Sequence, residues 1–495
     1  MITSYRTTFA VAGIAVAAAV APNAAAQVPQ QGAPQPSTMQ MVLKGKAPVS
    51  KEILKVKLPR ASEANLDNGL HLMVLEDHRV PQVSFQLVIP GAGGYYDPAD
   101  KVGLASFVAA MMREGTTTRS SEQISQALET MAATLGVGAG ASSVNATVSG
   151  SSLTQTFPTL FGLAADMLLH PSFPAAEWDR YKTRTRPSFT QLRTNPNFLA
   201  NERFNQAVFG THPASRIFAT PAALDATTPQ TLAEFYKTHY VPDHAVIAFA
   251  GDITPAQARA LVTQHLGSWA KSGAPLPTTE NPPPISGAHI YLISRPGSVQ
   301  TTFYVGTQSL TRTSPEYDQL SVADRVLGGV MGRLFRHLRE EKGYTYGIGS
   351  FFGASTYPGA WTATTSVRTD VTEPALRDLM AEIAAMRDSL VPESEFEDSK
   401  RALVASFALS LESPQRILGY NLESWQYHLP ADYWDSYPTR IAAVTRAQAQ
   451  AAAKKYWDPS RLQIVAVGDA SKIHDILAKF GTVQSFDADG KPITP

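Results

Sequence analysis

The sequence predicts an α+β chain made of two similar α/β halves joined by a linker, and three observations carry that expectation. Tyr240–Asp252 (YVPDHAVIAFAGD) is echoed by Tyr456–Asp469 (YWDPSRLQIVAVGD), and a helical pattern precedes and follows each copy. Long-period self-similarity of this kind marks a duplicated unit. Strand patterns at 70–75 and 82–89 are mirrored at 289–293 and 301–307. Residues 271–287 (KSGAPLPTTENPPPISG) concentrate proline and glycine with little apolar content, as a linker does.

At 495 residues the chain exceeds one ordinary domain and accommodates two large α/β units. Its 42 basic and 42 acidic residues cancel, so no global electrostatic case exists for nucleic acid or an anionic membrane. With no cysteine there are no disulfides, no thiol nucleophile and no cysteine-zinc site. Met1–Arg6, the apolar run Thr8–Val20 and the A-x-A site at Ala24–Ala26 read as a cleaved signal peptide over 1–26. The run is shorter than the roughly 18–20 apolar residues of a membrane span. A periplasmic destination and no membrane span are therefore expected.

Residues 27–53 are Gln- and Pro-rich and read as a disordered tether, with folded sequence from 54 to 270 in the first half. Asp67-Asn68-Gly69 is a turn before the first strand pair. A helix is expected over Gly103–Thr116 (GLASFVAAMMREGT): Leu104, Phe107, Val108, Met111 and Met112 follow helical spacing, with Pro98 and Asp100 at its start and Gly115 just past its end. Ser121–Thr134 reads as a second amphipathic helix, which Gly136–Gly140 breaks. Ser142–Ser152 (SSVNATVSGSS) is small and weakly alternating, plausible as an edge strand. Helical patterns follow at 157–169, 174–193, 200–209 and 229–240, then a buried strand at 245–251 and a helix at 255–269. After the linker the second half spans 288–488. Ser314-Pro315-Glu316 opens a helix to about Leu327, Gly328–Gly332 makes a loop, Met331–Lys342 forms the next helix, and Tyr344–Ala354 resumes as strand.

The letters of 103–116 resemble the pitrilysin/insulinase metallopeptidases, the inverzincins, in which this segment reads roughly GLAHFLEHMLFKGT. Two His at i and i+4 stack on one helical face and reach one tetrahedral zinc, and the Glu between them serves as base for the attacking water. Matched residue by residue, Ser106, Ala109 and Ala110 stand at the His, Glu and His positions. The family's third ligand, a Glu, is expected within Arg180–Asn201, which contains no acidic residue and has four cations between Arg180 and Arg186. The resemblance extends over about 60–488. It implies two insulinase-like or mitochondrial-processing-peptidase-like halves, the first with a degenerate zinc site: no metal and no cofactor on this chain. The eleven histidines offer no HExxH and no pair at i, i+4, and no nucleophile elbow or phosphate loop is present.

The second half keeps more. GGVMGRLFRHLREEKGYTY (328–346) resembles the family's C-terminal signature, approximately GGxxSRLFxxLRExxGxxY, whose Arg and Tyr engage substrate beside the zinc supplied by the other half. Those letters fall on Arg339 and Tyr346. Both donate hydrogen bonds, which suits a carbonyl oxygen gaining charge in the transition state. Equally, Arg339 suits a helix C-terminus and Tyr346 a strand core. In relatives an edge strand adds a substrate strand by backbone pairing; Val144–Val148 fits that role and an ordinary strand alike.

The expected function is thus a non-catalytic subunit of a two-chain zinc metallopeptidase. This chain would form half of a peptide-degrading chamber in a heterodimer or higher assembly, with zinc on a His-x-x-Glu-His partner and a peptide or unfolded polypeptide as substrate. An exported peptide-binding or scaffold protein with no proteolytic role is the alternative.

Overall fold

The computed structural model describes residues 52–353 and 355–494, so the signal-peptide reading and nearly all of the tether lie outside the described residues. The strands are β1 (Ser62–Asn65), β2 (His71–Glu76), β3 (Gln82–Pro90), β4 (Thr134–Ala139), β5 (Asn145–Leu153), β6 (Val246–Gly251), β7 (His289–Ser294), β8 (Gln300–Gln308), β9 (Thr345–Phe352), β10 (Ala360–Arg368), β11 (Gln463–Gly468) and β12 (Val483–Phe486). In the first half the helices are α1 (Leu104–Met111), α2 (Ser121–Thr130), α3 (Phe157–Leu169), α4 (Ala175–Arg193), α5 (Pro196–Phe209), α6 (Pro221–Ala226), α7 (Pro229–His239) and α8 (Pro255–Leu266). The second half contributes α9 (Tyr317–Gly328), α10 (Thr372–Asp388), α11 (Glu393–Ser410), α12 (Pro414–Gln426), α13 (Tyr437–Ala443), α14 (Arg446–Tyr456) and α15 (Ala470–Ala478).

Two six-stranded sheets result, ordered β1-β2-β6-β3-β5-β4 and β12-β7-β11-β8-β10-β9. Apart from the first strand of each list the two orders superpose, which is the duplication seen in sequence. The echoed segments hold β6 and β11, both buried along their whole length and each parallel to one neighbour and antiparallel to the other. Their continuous apolar runs follow from being covered on both faces. The outermost strand differs between halves: β1 precedes β2 and runs antiparallel to it, whereas β12 is the last strand in sequence and runs parallel to β7.

Each sheet packs its own helices on one face, around Phe85, Phe161 and Phe249 in the first half and Phe303, Leu320 and Trp361 in the second. The opposite faces are covered by exchange. Leu199, Phe204 and Val208 of α5, from the first half, pack on Ile293, Val465 and Val467 of the second sheet. Ile417, Leu418 and Leu422 of α12, from the second half, pack on Met73, Leu75 and Val246 of the first. Both helices open on proline after a capping residue, Asn195-Pro196 and Ser413-Pro414, in which Asn195 and Ser413 accept from backbone N–H groups of the first turn. Gly306 lets α5 approach: a Cβ there would meet the Phe204 ring at 2.8 Å and the Trp361 carbonyl at 2.0 Å.

Residues 267–288 carry no helix or strand, yet both halves hold them. Asp243 accepts from the backbone N–H of Ser272 and of Gly273, both at 2.8 Å, and Tyr96 Oη donates to the Pro277 carbonyl at 3.1 Å. From the second half, the Gln308 amide donates to the Pro283 carbonyl at 2.5 Å.

Three local expectations need correction. The first helix starts at Leu104 rather than near Pro98, because Gly103 sits at φ +108, and it ends at Met111. Gly136–Gly140 does not merely break a helix: most of it forms β4, the true edge of the first sheet. Ser142–Ser152 is therefore not an edge strand, since β5 pairs with β3 on one side and β4 on the other.

Candidate functional site

The helix where the family's metal would be held is α1. Gly103 is required at its entrance, since a Cβ there would lie 2.2 Å from that of Ala219. Asp97 anchors the same turn, accepting from the N–H of Gly103 at 2.7 Å and of Ala105 at 2.9 Å. Burial pushes its carboxyl up to about 6 despite those bonds. Leu104, Phe107, Val108 and Met111 sink into the core.

On the face that matters, Ser106 donates its Oγ–H to the Ala139 carbonyl of β4 at 2.5 Å, and Ala109 is buried. Ala110 offers a methyl group. The stretch expected to hold a third ligand lies on α4 and the start of α5. Its four cations between Arg180 and Arg186 are all paired: Arg184 with Glu114, Arg186 with Asp225 at 2.6 Å, Arg180 with Glu177 at 2.5 Å and Lys182 with Asp179 at 2.9 Å. Residues 180–201 themselves carry no acid to serve as a third ligand. Among the described residues no three His, Asp or Glu side chains converge as a metal set. A hydroxyl committed to a carbonyl and two methyl groups do not fit zinc. His239 and His244, which stand close in sequence, donate separately, to the carbonyls of Gly91 at 2.7 Å and Ala274 at 3.1 Å.

Arg339 and Tyr346 do come together. Residues 335–341 form a π-helical turn rather than the α-helix expected over Met331–Lys342. Such turns insert an extra residue and re-aim side chains. Leu334 and Leu338 bury its inner side; Arg333 and Arg336 pair with Glu395 of α11, and His337 Nδ1 meets Glu382 of α10 at 2.9 Å. Thus fastened, the turn leaves the Arg339 guanidinium 4.5 Å from the Phe335 ring centre and 5.3 Å from that of Tyr346.

Tyr346 is not a strand core residue: it is 91% exposed. The cause is a β-bulge on the edge strand β9, whose register with β10 slips between the pairs Ile348–Thr365 and Thr345–Val367. One extra residue turns Tyr346 outward while Ile348 still points inward. Two threonines hold the bulge. Thr365 donates either to Thr345 Oγ1 at 2.9 Å or to the Gly347 carbonyl at 3.1 Å, and Thr345 Oγ1 reaches the Ser366 carbonyl at 2.8 Å and accepts from the Gly347 N–H at 3.1 Å. Sequence reasoning missed this pair. Gly347 inside a strand pattern was the available signal, since an isolated strand glycine often marks a bulge.

Two matched sheets, a metal helix without ligands and an outward Arg–Tyr pair define a peptidase scaffold of the zinc-dependent class with an inactive-type first half. Comparison with known families supports the scaffold: residues 72–222 match the model described as insulinase (peptidase family M16), and 226–403, mostly in the second half, match that of the peptidase M16 inactive domain. The chain belongs to this insulinase family, M16. It is 23% identical over 357 residues to the uncharacterized zinc protease YmxG of Bacillus subtilis, covering 72% of this chain and 85% of that one. An uncharacterized zinc protease of Mycobacterium tuberculosis is 26% identical over 330 residues, or 65% of this chain and 74% of its own. Among solved structures, a peptidase M16 inactive domain from Pseudomonas fluorescens superposes with a TM-score of 0.74 at 26% identity, covering 82% of this chain and 98% of that one. A protease from Helicobacter pylori shares the fold, with a TM-score of 0.76 at 14% identity over 83% of this chain and 100% of the other.

Proposed function

We propose that this chain is the non-catalytic subunit of a two-chain zinc metallopeptidase. It would be exported to the periplasm, supplying half of a closed chamber and the donors Arg339 and Tyr346 to a His-x-x-Glu-His partner that carries the zinc. One observation carries the reading: the metal face of α1 presents two alanines and a serine hydrogen-bonded to β4, while two donors stand side by side in the other half. A guanidinium and a phenol held together there suit a peptide carbonyl undergoing attack at the partner's site, because both strengthen their hydrogen bonds as charge builds on oxygen. The strand-addition role that the resemblance implies falls on β4 instead of Val144–Val148. Gly136 and Gly138 have nothing within 4 Å of an added Cβ, so a substrate strand can approach this edge closely.

The test is purification from the native host followed by reconstitution. The lone chain is expected to hold no stoichiometric zinc and cleave no peptide, and the complex with a His-x-x-Glu-His chain to cleave in a chelator-sensitive way. One tightly held zinc per lone chain by elemental analysis would falsify the reading. A complex whose activity ignores Arg339→Ala and Tyr346→Phe would favour the scaffold alternative.

A further inference from the structure

Beside Tyr346 lies a groove that the Arg–Tyr pair does not account for. A cavity of about 620 Å³ is lined by Tyr346, Gln300, Ser366 and Arg368, with Asn197 from the first half. A second, of about 350 Å³, shares Asn197, Gln300 and Ser366 with it and continues to Arg295 and the turn 295–299. The two form one channel across the ends of three strands. Its floor is paired: Gln300 stands opposite Arg368, and Thr302 opposite Ser366, their hydroxyls 2.9 Å apart.

The chemistry of the lining is one-sided. No aspartate or glutamate borders either cavity. Arg368 is paired with Asp370 at 3.2 Å, but Arg295, half-buried at the far end, has no carboxylate partner among the described residues. A cation left without a counter-charge in a channel of amides and hydroxyls favours a carboxylate ligand, which a guanidinium grips in bidentate fashion. From β9 across β10 and β8 is two strand spacings, roughly 10 Å, and an extended peptide covers that in about three residues.

We infer that the channel from Tyr346 to Arg295 is a substrate subsite, and that it selects peptides bearing a carboxylate about three residues from the bond placed at Tyr346. The carboxylate can be an acidic side chain or the peptide's own C-terminus. The inference rests on the proposed peptidase role for the position of the bond, but not for the binding itself.

The experiment therefore uses the full chain alone, without a partner. Fluorescence anisotropy measures binding of labelled, acetylated decapeptides, neutral except at one position. One carries a single Glu with an amidated end, one carries Gln there, and one carries Gln with a free C-terminal carboxylate. The Glu or the free-acid peptide is expected to bind about tenfold tighter than the amidated Gln peptide, the scale of one charge-assisted contact. Arg295→Ala should shrink that ratio below about twofold by weakening the Glu and free-acid peptides. Gln300→Glu, an exposed position, should reverse the preference in favour of a Lys peptide. Equal binding of all three peptides, no binding of any, or a preference that survives Arg295→Ala overturns the subsite. Failure to find a zinc-bearing partner would sink the subunit reading and leave this result standing.

Discussion

Arg339 and Tyr346 meet because two irregularities, a π-turn and a bulge, aim them at the same point. Neither side chain is part of the core, since Tyr346 is exposed and Arg339 is half-buried between the rings of Phe335 and Tyr346. Arg339→Ala and Tyr346→Phe are therefore expected to leave thermal stability unchanged and to lower kcat of the assembled peptidase by about 10²-fold, the loss for one transition-state donor. Unfolding scans and initial rates separate the two effects. Conversely, Ser106→His with Ala109→Glu and Ala110→His is not expected to recover tight zinc. Glu would enter a buried site, Ser106 would surrender its bond to Ala139, and the stretch 180–201 still brings no acid. Metal analysis of the dialysed triple variant checks this. That Ser106, Ala109 and Ala110 stand where ligands are expected was legible residue by residue, because identity and spacing are read from the letters alone. Exposure of Tyr346 was not, because alternation assigns it inward and only the bulge reverses it.

Among elements, β9 and α1 each depend on a small polar device. Thr365→Val removes the donor that ties Thr345 and Gly347 into the bulge, at a cost of about 1 kcal/mol. The expectation is a lower kcat in the complex at nearly constant KM, with Thr365→Ser restoring both. For α1 the device is Asp97. Its folded value, about 6, lies above the unfolded carboxylate value, so the native chain holds the extra proton in the window between them. Its stabilising contribution is fully present below about pH 4 and is lost as pH rises through 6. Urea midpoints of Asp97→Asn relative to the native sequence are thus expected to shift in the variant's favour between pH 4 and 7; a flat difference would contradict the assignment. Helices with strong spacing, such as α3 and α4, were legible almost to the residue. The edge strand was misplaced because Gly136, Gly138 and Gly140 look like breakers, yet an edge with open space on one side tolerates missing side chains.

Across the whole molecule, duplication was readable but exchange was not. Repeated strands announce two halves, and the proline-rich stretch between them suggests beads on a string. Nothing in the spacing says that α5 would cover the sheet of the other half, or α12 the first sheet in return. Amphipathicity specifies that a face is buried and is silent on its partner. The consequence is mechanical. Neither sheet is covered on both faces without the other half, so separated halves would each expose a broad apolar surface, of the kind that drives aggregation. Cleavage within 271–287 is therefore expected to leave the halves together: a chain nicked there by an engineered protease site should elute as one species under native conditions and unfold in one transition. Leu418→Ala, which touches only the exchanged face, should lower the stability of both halves at once by about 2–5 kcal/mol. Hydrogen exchange resolves whether protection falls in β6 and β11 alike. If the nicked halves drift apart, or β11 keeps its protection while β6 loses it, the halves are independent domains and any opening of the chamber can occur within this subunit. If they stay coupled, the opening that the proposed chamber needs has to occur between this chain and the proposed partner.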